Sequence, residues 1–93
     1  MLGRNRRESI LDTRLERRLA PRRNTTIEAE IVFDGGRSRL PCIIRNLSDS
    51  GAKLEVAKVA SVPQSFDLVV PGHHPHASRV VWRTIREVGI AFV

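Results

Sequence analysis

The chain has 93 residues, enough for one domain with a thin core. Its formal charge of +6 points towards an anionic partner: a polyanion, a small anionic molecule or an acidic membrane surface. A single cysteine, Cys42, excludes an intramolecular disulfide and suits a reducing cytosol, and no apolar run approaches the ~20 residues that span a bilayer. The arginine-rich N-terminus lacks the apolar centre of a signal peptide, so a cytoplasmic protein is expected. The charge is uneven. Residues 1–23 carry eight arginines against Glu8, Asp12 and Glu16, whereas residues 24–93 carry eight basic and seven acidic groups. This divides the chain into a basic N-terminal segment, 1–23, and a nearly neutral domain, 24–93.

Residues 4–19 read as a helix. Leu11, Leu15 and Leu19 recur every fourth residue with Ile10 beside them, and Pro21 disfavours helical geometry at Ala20. Such a stripe is expected to pack on the domain; it is short for a membrane-surface helix. Residues 22–25 read as a polar linker. Ile27, Ala29, Ile31 and Phe33 then alternate with polar residues, giving a half-buried strand that ends at the turn Asp34-Gly35-Gly36. A second strand places Leu40, Cys42 and Ile44 on one face and Ile43 and Arg45 on the other, with Pro41 near a sheet edge. Residues 46–50 read as a loop. Ala52, Leu54 and Val56 form a third strand, and residues 57–64 a longer loop. Phe66, Leu68 and Val70 form a fourth strand, residues 77–84 a fifth containing Trp82, and Val88, Ile90 and Phe92 a sixth. Six short antiparallel strands at regular spacing predict an all-β fold, a six-stranded barrel whose closure removes adhesive edges, preceded by the N-terminal helix.

Two stretches carry chemistry. Arg18-Leu19-Ala20-Pro21-Arg22-Arg23 holds R-x-x-x-R plus one further arginine, planar donor forks that match phosphate and the O6/N7 edge of guanine. Asn46-Leu47-Ser48-Asp49-Ser50-Gly51 holds N-x-S-x-x-G: an amide that both donates and accepts, a short hydroxyl, and a glycine that permits unusual backbone geometry and close approach. Taken singly, the arginines are common in a solvated helix end, and Asn, Ser and Gly dominate ordinary turns.

The two motifs in this order, with Arg79-Val80-Val81-Trp82-Arg83 and Val88-Gly89-Ile90-Ala91-Phe92 as closing strands, resemble the PilZ domain, the bacterial receptor for cyclic di-GMP, over roughly residues 16–93. The resemblance implies a six-stranded antiparallel barrel and a binding site made by Arg18, Arg22, Arg23, Asn46, Ser48 and Gly51, with Arg17 as a weaker candidate. Many PilZ domains carry a further C-terminal helix. Here the N-terminal helix, or a partner subunit, is expected to cover the barrel end. The resemblance also implies a second-messenger adaptor whose arginine linker folds over the ligand and signals to a downstream protein; a homodimer stays open.

Other features are weaker. His73, His74 and His76 cluster, but no further ligand stands at metal-binding spacing, and a solvated turn is expected. Trp82 is expected in the core, and Cys42 as a small buried hydrophobe. No paired acid and base, triad order or metal spacing suggests an enzyme, so neither a catalytic residue nor a cofactor is expected. Two alternatives remain: a nucleic-acid-binding barrel, disfavoured by the scarcity of aromatic stacking platforms, and a PilZ-like protein-interaction module with vestigial motifs.

Overall fold

The structure, a computed structural model, describes residues 23–93. The helix expected over residues 4–19 lies outside them. Six strands follow in order: β1 (Arg23–Phe33), β2 (Ser38–Leu47), β3 (Gly51–Glu55), β4 (Ser65–Val69), β5 (His76–Arg83) and β6 (Glu87–Phe92). Every pairing is antiparallel, and the strands close into a barrel in the order β1-β2-β3-β6-β5-β4, with β4 returning to β1. Closure satisfies both edges of every strand, which a small open sheet cannot do.

The alternation read in the sequence builds the interior. Ile31, Ile44, Leu54, Leu68 and Val88 project inward from five strands, and all are fully buried. Burying a side chain of this size contributes roughly 1.5–3 kcal/mol, so a chain of this length depends on each of them. The β1–β2 connection is the Asp34–Gly36 turn, whose three residues have φ of 56°, 65° and 89°. Gly35 and Gly36 adopt this left-handed region without the strain a side chain would add. Pro41 stands opposite Glu30 on β1, while the β2–β3 ladder begins only at Ile43, so its missing N–H costs no bond to β3.

The two ends of the barrel differ. At one end the connection after β3 folds across the opening. Val56, Val59 and Val62 are buried there, and a short 3-10 turn, Val59–Ser61, lies across the strand ends. Arg83 Nη1 donates to the Val59 carbonyl at 3.0 Å and Gln64 Nε2 to the Val80 carbonyl at 2.7 Å, tying this connection to β5. At the other end β1 begins and β2 finishes, and the interior opens to the surface between Ile27, Leu47, Val70 and Phe92.

Four sequence readings need correction. Arg23, Asn24 and Thr25 belong to β1 and not to a linker, because Arg23 and Asn24 pair with Leu47 and Asn46. Asn46 and Leu47 belong to β2 and not to a loop. Trp82 is 42% exposed and not a core residue. β5 runs from His76 to Arg83, ending before Thr84, whose N–H and hydroxyl both bond to the Glu87 carbonyl across the turn. Cys42 is buried as expected, and burial, with the Glu30 carboxylate as a lesser influence, pushes its thiol up from 9.0 to about 12.

The thiol gives a pH dependence of known sign. Between pH 9 and about 12 the unfolded chain releases this proton while the folded chain retains it, so folding stability falls as pH rises through that window. Urea midpoints measured across it should fall less steeply in Cys42→Ala than in the wild type. The native thiol should also stay unreactive towards a disulfide reagent at pH 8 until the protein is unfolded.

Candidate functional site

The position of N-x-S-x-x-G depends on a break in the strand alternation. Along β2, Ile44 pairs with Leu54 of β3, but the next pair is Asn46 with Lys53, leaving Arg45 as an extra residue. On the other side of β2, Ile27 of β1 faces Ile44 and Asn24 faces Asn46, so Thr25 and Thr26 lie against Arg45. A regular strand would give Asn46 the inward orientation of Ile44. The bulge reverses this: Asn46 turns outward beside Asn24 and Lys53, and Leu47 turns inward opposite Ala52.

Side chains hold the bulge. Arg45 Nε donates to Glu55 Oε1 at 2.7 Å, and its Nη1 to Thr26 Oγ1 at 3.3 Å. The Thr25 hydroxyl donates to the Ile44 carbonyl. Asn46 Nδ2 donates to Asn24 Oδ1 at 3.2 Å, orienting the amide on the outer face.

The β2–β3 turn is compact. Ser48 N–H donates to the Gly51 carbonyl at 2.9 Å, the Ser50 N–H to Ser48 Oγ at 3.3 Å, and the two serine hydroxyls lie 3.2 Å apart. The turn is fastened to β6, where Phe92 N–H donates to the Ser50 carbonyl at 2.9 Å. Ser48 therefore presents its hydroxyl from a fixed position. Gly51 has a different role from the one its sequence context suggested. Its φ is not in the left-handed region, and a Cβ there would stand 2.1 Å from the Ile90 carbonyl oxygen. Glycine is needed because β3 and β6 approach too closely for a side chain.

Beside this turn lies a hollow of about 230 Å³ on the outside of the barrel, bordered by Ser48, Ser50, Gly51, Trp82 and Gly89. Trp82 reaches it through a second bulge. Val80 pairs with Ile90 and Trp82 with Gly89, leaving Val81 as the extra residue, so the indole turns outward. It lies directly over Gly89, where a Cβ would come within 2.2 Å of the indole nitrogen. Sequence alone gives Asn24 and Gly89 no place in the site and puts Trp82 in the core. Trp82 shares the parity of buried Val80, and nothing local announces the bulge that overrides it.

Arg23 begins β1 and pairs with Leu47, one residue from both Asn46 and Ser48. It lines the open barrel mouth together with Ser48 and Asp49. The fold thus gathers Arg23, Asn46, Ser48 and Gly51 at one end of the barrel, while Arg18 and Arg22, with Arg17, lie outside the described residues. His73 and His76 border the same mouth, and the His76 ring lies 5.4 Å from that of Phe92. Among the described residues no group of three or more His, Cys, Asp or Glu is placed to hold a metal ion.

The family model of the PilZ domain matches residues 16–93. The chain belongs to the PilZ family. The match covers the whole described barrel and extends upstream through both arginines of R-x-x-x-R. PilZ domains are cyclic di-GMP-binding modules, a family of binding and adaptor domains. A comparison with curated proteins returns no match. No helix among the described residues is long and apolar enough to cross a membrane.

The close approach at Gly51 has a measurable consequence. In this PilZ domain Gly51→Ala forces β3 and β6 apart and should lower stability by about 1–3 kcal/mol, as overpacking does, read from urea denaturation. Ser48→Ala, which removes only a hydroxyl from an exposed turn, should change stability by less than about 1 kcal/mol.

Proposed function

We propose that this PilZ domain is a receptor for cyclic di-GMP, which it binds through Arg18, Arg22, Arg23, Asn46, Ser48 and Gly51, and that binding repositions the N-terminal segment to signal to a protein partner in the cytoplasm. The observation that supports this is the register of β1 on β2. Pairing of Arg23 with Leu47 and Asn24 with Asn46 puts Arg23 directly beside the N-x-S-x-x-G turn. Arg23, the last residue of the arginine-rich stretch, thus stands beside that turn although the two are separated in sequence.

The chemistry suits the ligand. A cyclic dinucleotide presents two phosphates and two guanines in a compact ring. Guanidinium groups meet phosphate by charge-assisted hydrogen bonds and the guanine O6/N7 edge bidentately. Asn46 offers an amide held on the outer face, and Ser48 a hydroxyl at the lip between the hollow and the mouth. Gly89 leaves the space that the Trp82 indole occupies at the edge of the hollow. Gly51 thus serves the site indirectly, by letting β3 and β6 close beneath it. Neutralising the arginine cluster removes much of the repulsion within the basic segment, which would let that segment settle against the barrel and alter the charge a partner meets.

Isothermal titration of cyclic di-GMP into the full chain and into Arg22→Ala, at physiological salt with cyclic di-AMP as control, tests the reading. Loss of one charge-assisted contact should cost roughly 1.5–3 kcal/mol, tenfold or more in affinity. Trp82, the single tryptophan, borders the hollow with Ser48 and Gly51, so its emission should change on the same titration. Absence of heat and of any emission change would reject the receptor reading and leave a protein-interaction module.

A further inference from the structure

Strand ladders of unequal length leave a larger hollow away from the N-x-S-x-x-G turn. β2 has ten residues and β3 five, so their pairing runs out at Ile43 with Glu55, and β4 pairs with β1 only from Glu30 to Val32. Ala29 and Cys42 pair with each other and have no further strand on either side. A hollow of about 950 Å³ lies at this narrow part of the sheet, running from Val69 and Pro71 to Val56, Ala57 and Arg86. Its lining combines apolar side chains, Ile43 and Val69 half-buried among them, with the carboxylates of Glu28, Glu30 and Glu55. None of Arg23, Asn46, Ser48 and Gly51 lines it, so what docks here is a separate question from what the PilZ motif binds.

We infer that this hollow is the docking site of a second copy of the chain, which inserts its Ile85 there and receives the first copy's Ile85 in return. Three observations select this occupant. First, Ile85 is 88% exposed on the β5–β6 turn. The turn is held firmly: Thr84 N–H donates to the Glu87 carbonyl at 2.8 Å, and Glu87 N–H to the Thr84 hydroxyl at 3.0 Å. Single apolar residues on a surface are ordinary, but this one stands at the rim of an apolar hollow and does not enter it. A second copy brings the side chain against the apolar lining, where burial is favourable. Second, the charges match. Glu30 is paired with Arg39 at 2.8 Å and Glu55 with Arg45 at 2.7 Å, while Glu28 has no ion-pair partner among the described residues. Arg86, next to Ile85, likewise has no ion-pair partner for its side chain among them. An entering Ile85 carries its Arg86 towards Glu28, and such complementarity fixes register and partner. Third, the assembly closes. Glu55 and Arg86 border both Ile85 and the hollow, so projection and recess lie side by side. Adjacent complementary features are exchanged by one two-fold rotation, which ends the assembly at a dimer; distant ones would add copies end to end.

Sedimentation velocity of the full chain without dinucleotide, from about 1 μM to 1 mM, tests the inference. The wild type should pass from monomer to dimer and stop there. Ile85→Asp should weaken the dimer at least about tenfold, as loss of a buried anchor does, with the circular dichroism of the barrel unchanged because the side chain is exposed in the monomer. Glu28→Arg and Arg86→Glu should each weaken the dimer, and the two together should restore it towards wild type, since the exchanged charges meet again across the two-fold axis. A wild type that stays monomeric throughout the series would overturn the inference. So would a dimer that Ile85→Asp leaves intact, a double charge exchange that dimerises no better than the single ones, or species that keep growing beyond the dimer.

Discussion

A β-strand changes faces at every residue, so one uncompensated residue reverses all that follow it. In this PilZ domain that residue is Arg45. Its place in β2 turns Asn46 out of the barrel and Leu47 into it, and the strands on both sides adjust to it: β3 advances one residue while β2 advances two, and β1 advances three. The bulge is held by the Arg45–Glu55 ion pair, the Arg45–Thr26 hydrogen bond and the Thr25 hydroxyl on the Ile44 carbonyl. Without it the amide of the N-x-S-x-x-G motif would point into the core, where a polar group with no partner is costly, and the leucine beside it would point into solvent. One local irregularity therefore serves the outer site and the inner wall of the mouth together.

The second bulge, at Val81, works in the same way on the other side of the hollow. It carries Trp82 outward, onto Gly89. The indole covers Gly89, and the missing side chain at Gly51 lets β3 and β6 come together beside it. These two glycines are needed for space rather than for backbone freedom. The left-handed glycines are elsewhere, at Gly35, Gly36 and Gly72, in turns remote from this chemistry or outside it. A glycine inside a binding motif can thus owe its identity to strand packing beneath the site.

The asymmetry of the barrel gives the arrangement a direction. The connection after β3 buries three valines at one end, and β1 begins at the other, where Arg23 lines a hollow that reaches Ile44 and Leu68. The proposed ligand contacts draw on the short arginine-rich stretch that leads into β1 and on the turn beside it.

The sequence by itself determined six strands along the chain, an all-β barrel and the membership of residues 16–93 in the PilZ family. Alternation of apolar and polar residues and the chemistry of Asp34-Gly35-Gly36 are local properties, and they act wherever the segment is placed. It also marked Asn46, Ser48 and Gly51 as belonging together, because they fall within six consecutive residues. Only the tertiary structure decided that Asn46 is a strand residue facing outward, that Trp82 leaves the core, and that Gly51 answers to the Ile90 carbonyl. Each of these depends on a residue's partner in a neighbouring strand, 20 or more positions away for Asn24 and Asn46 and nearly 40 for Gly51 and Ile90. A bulge is stable only when both flanking strands accept its register, and no periodicity along one strand records what its neighbours will accept.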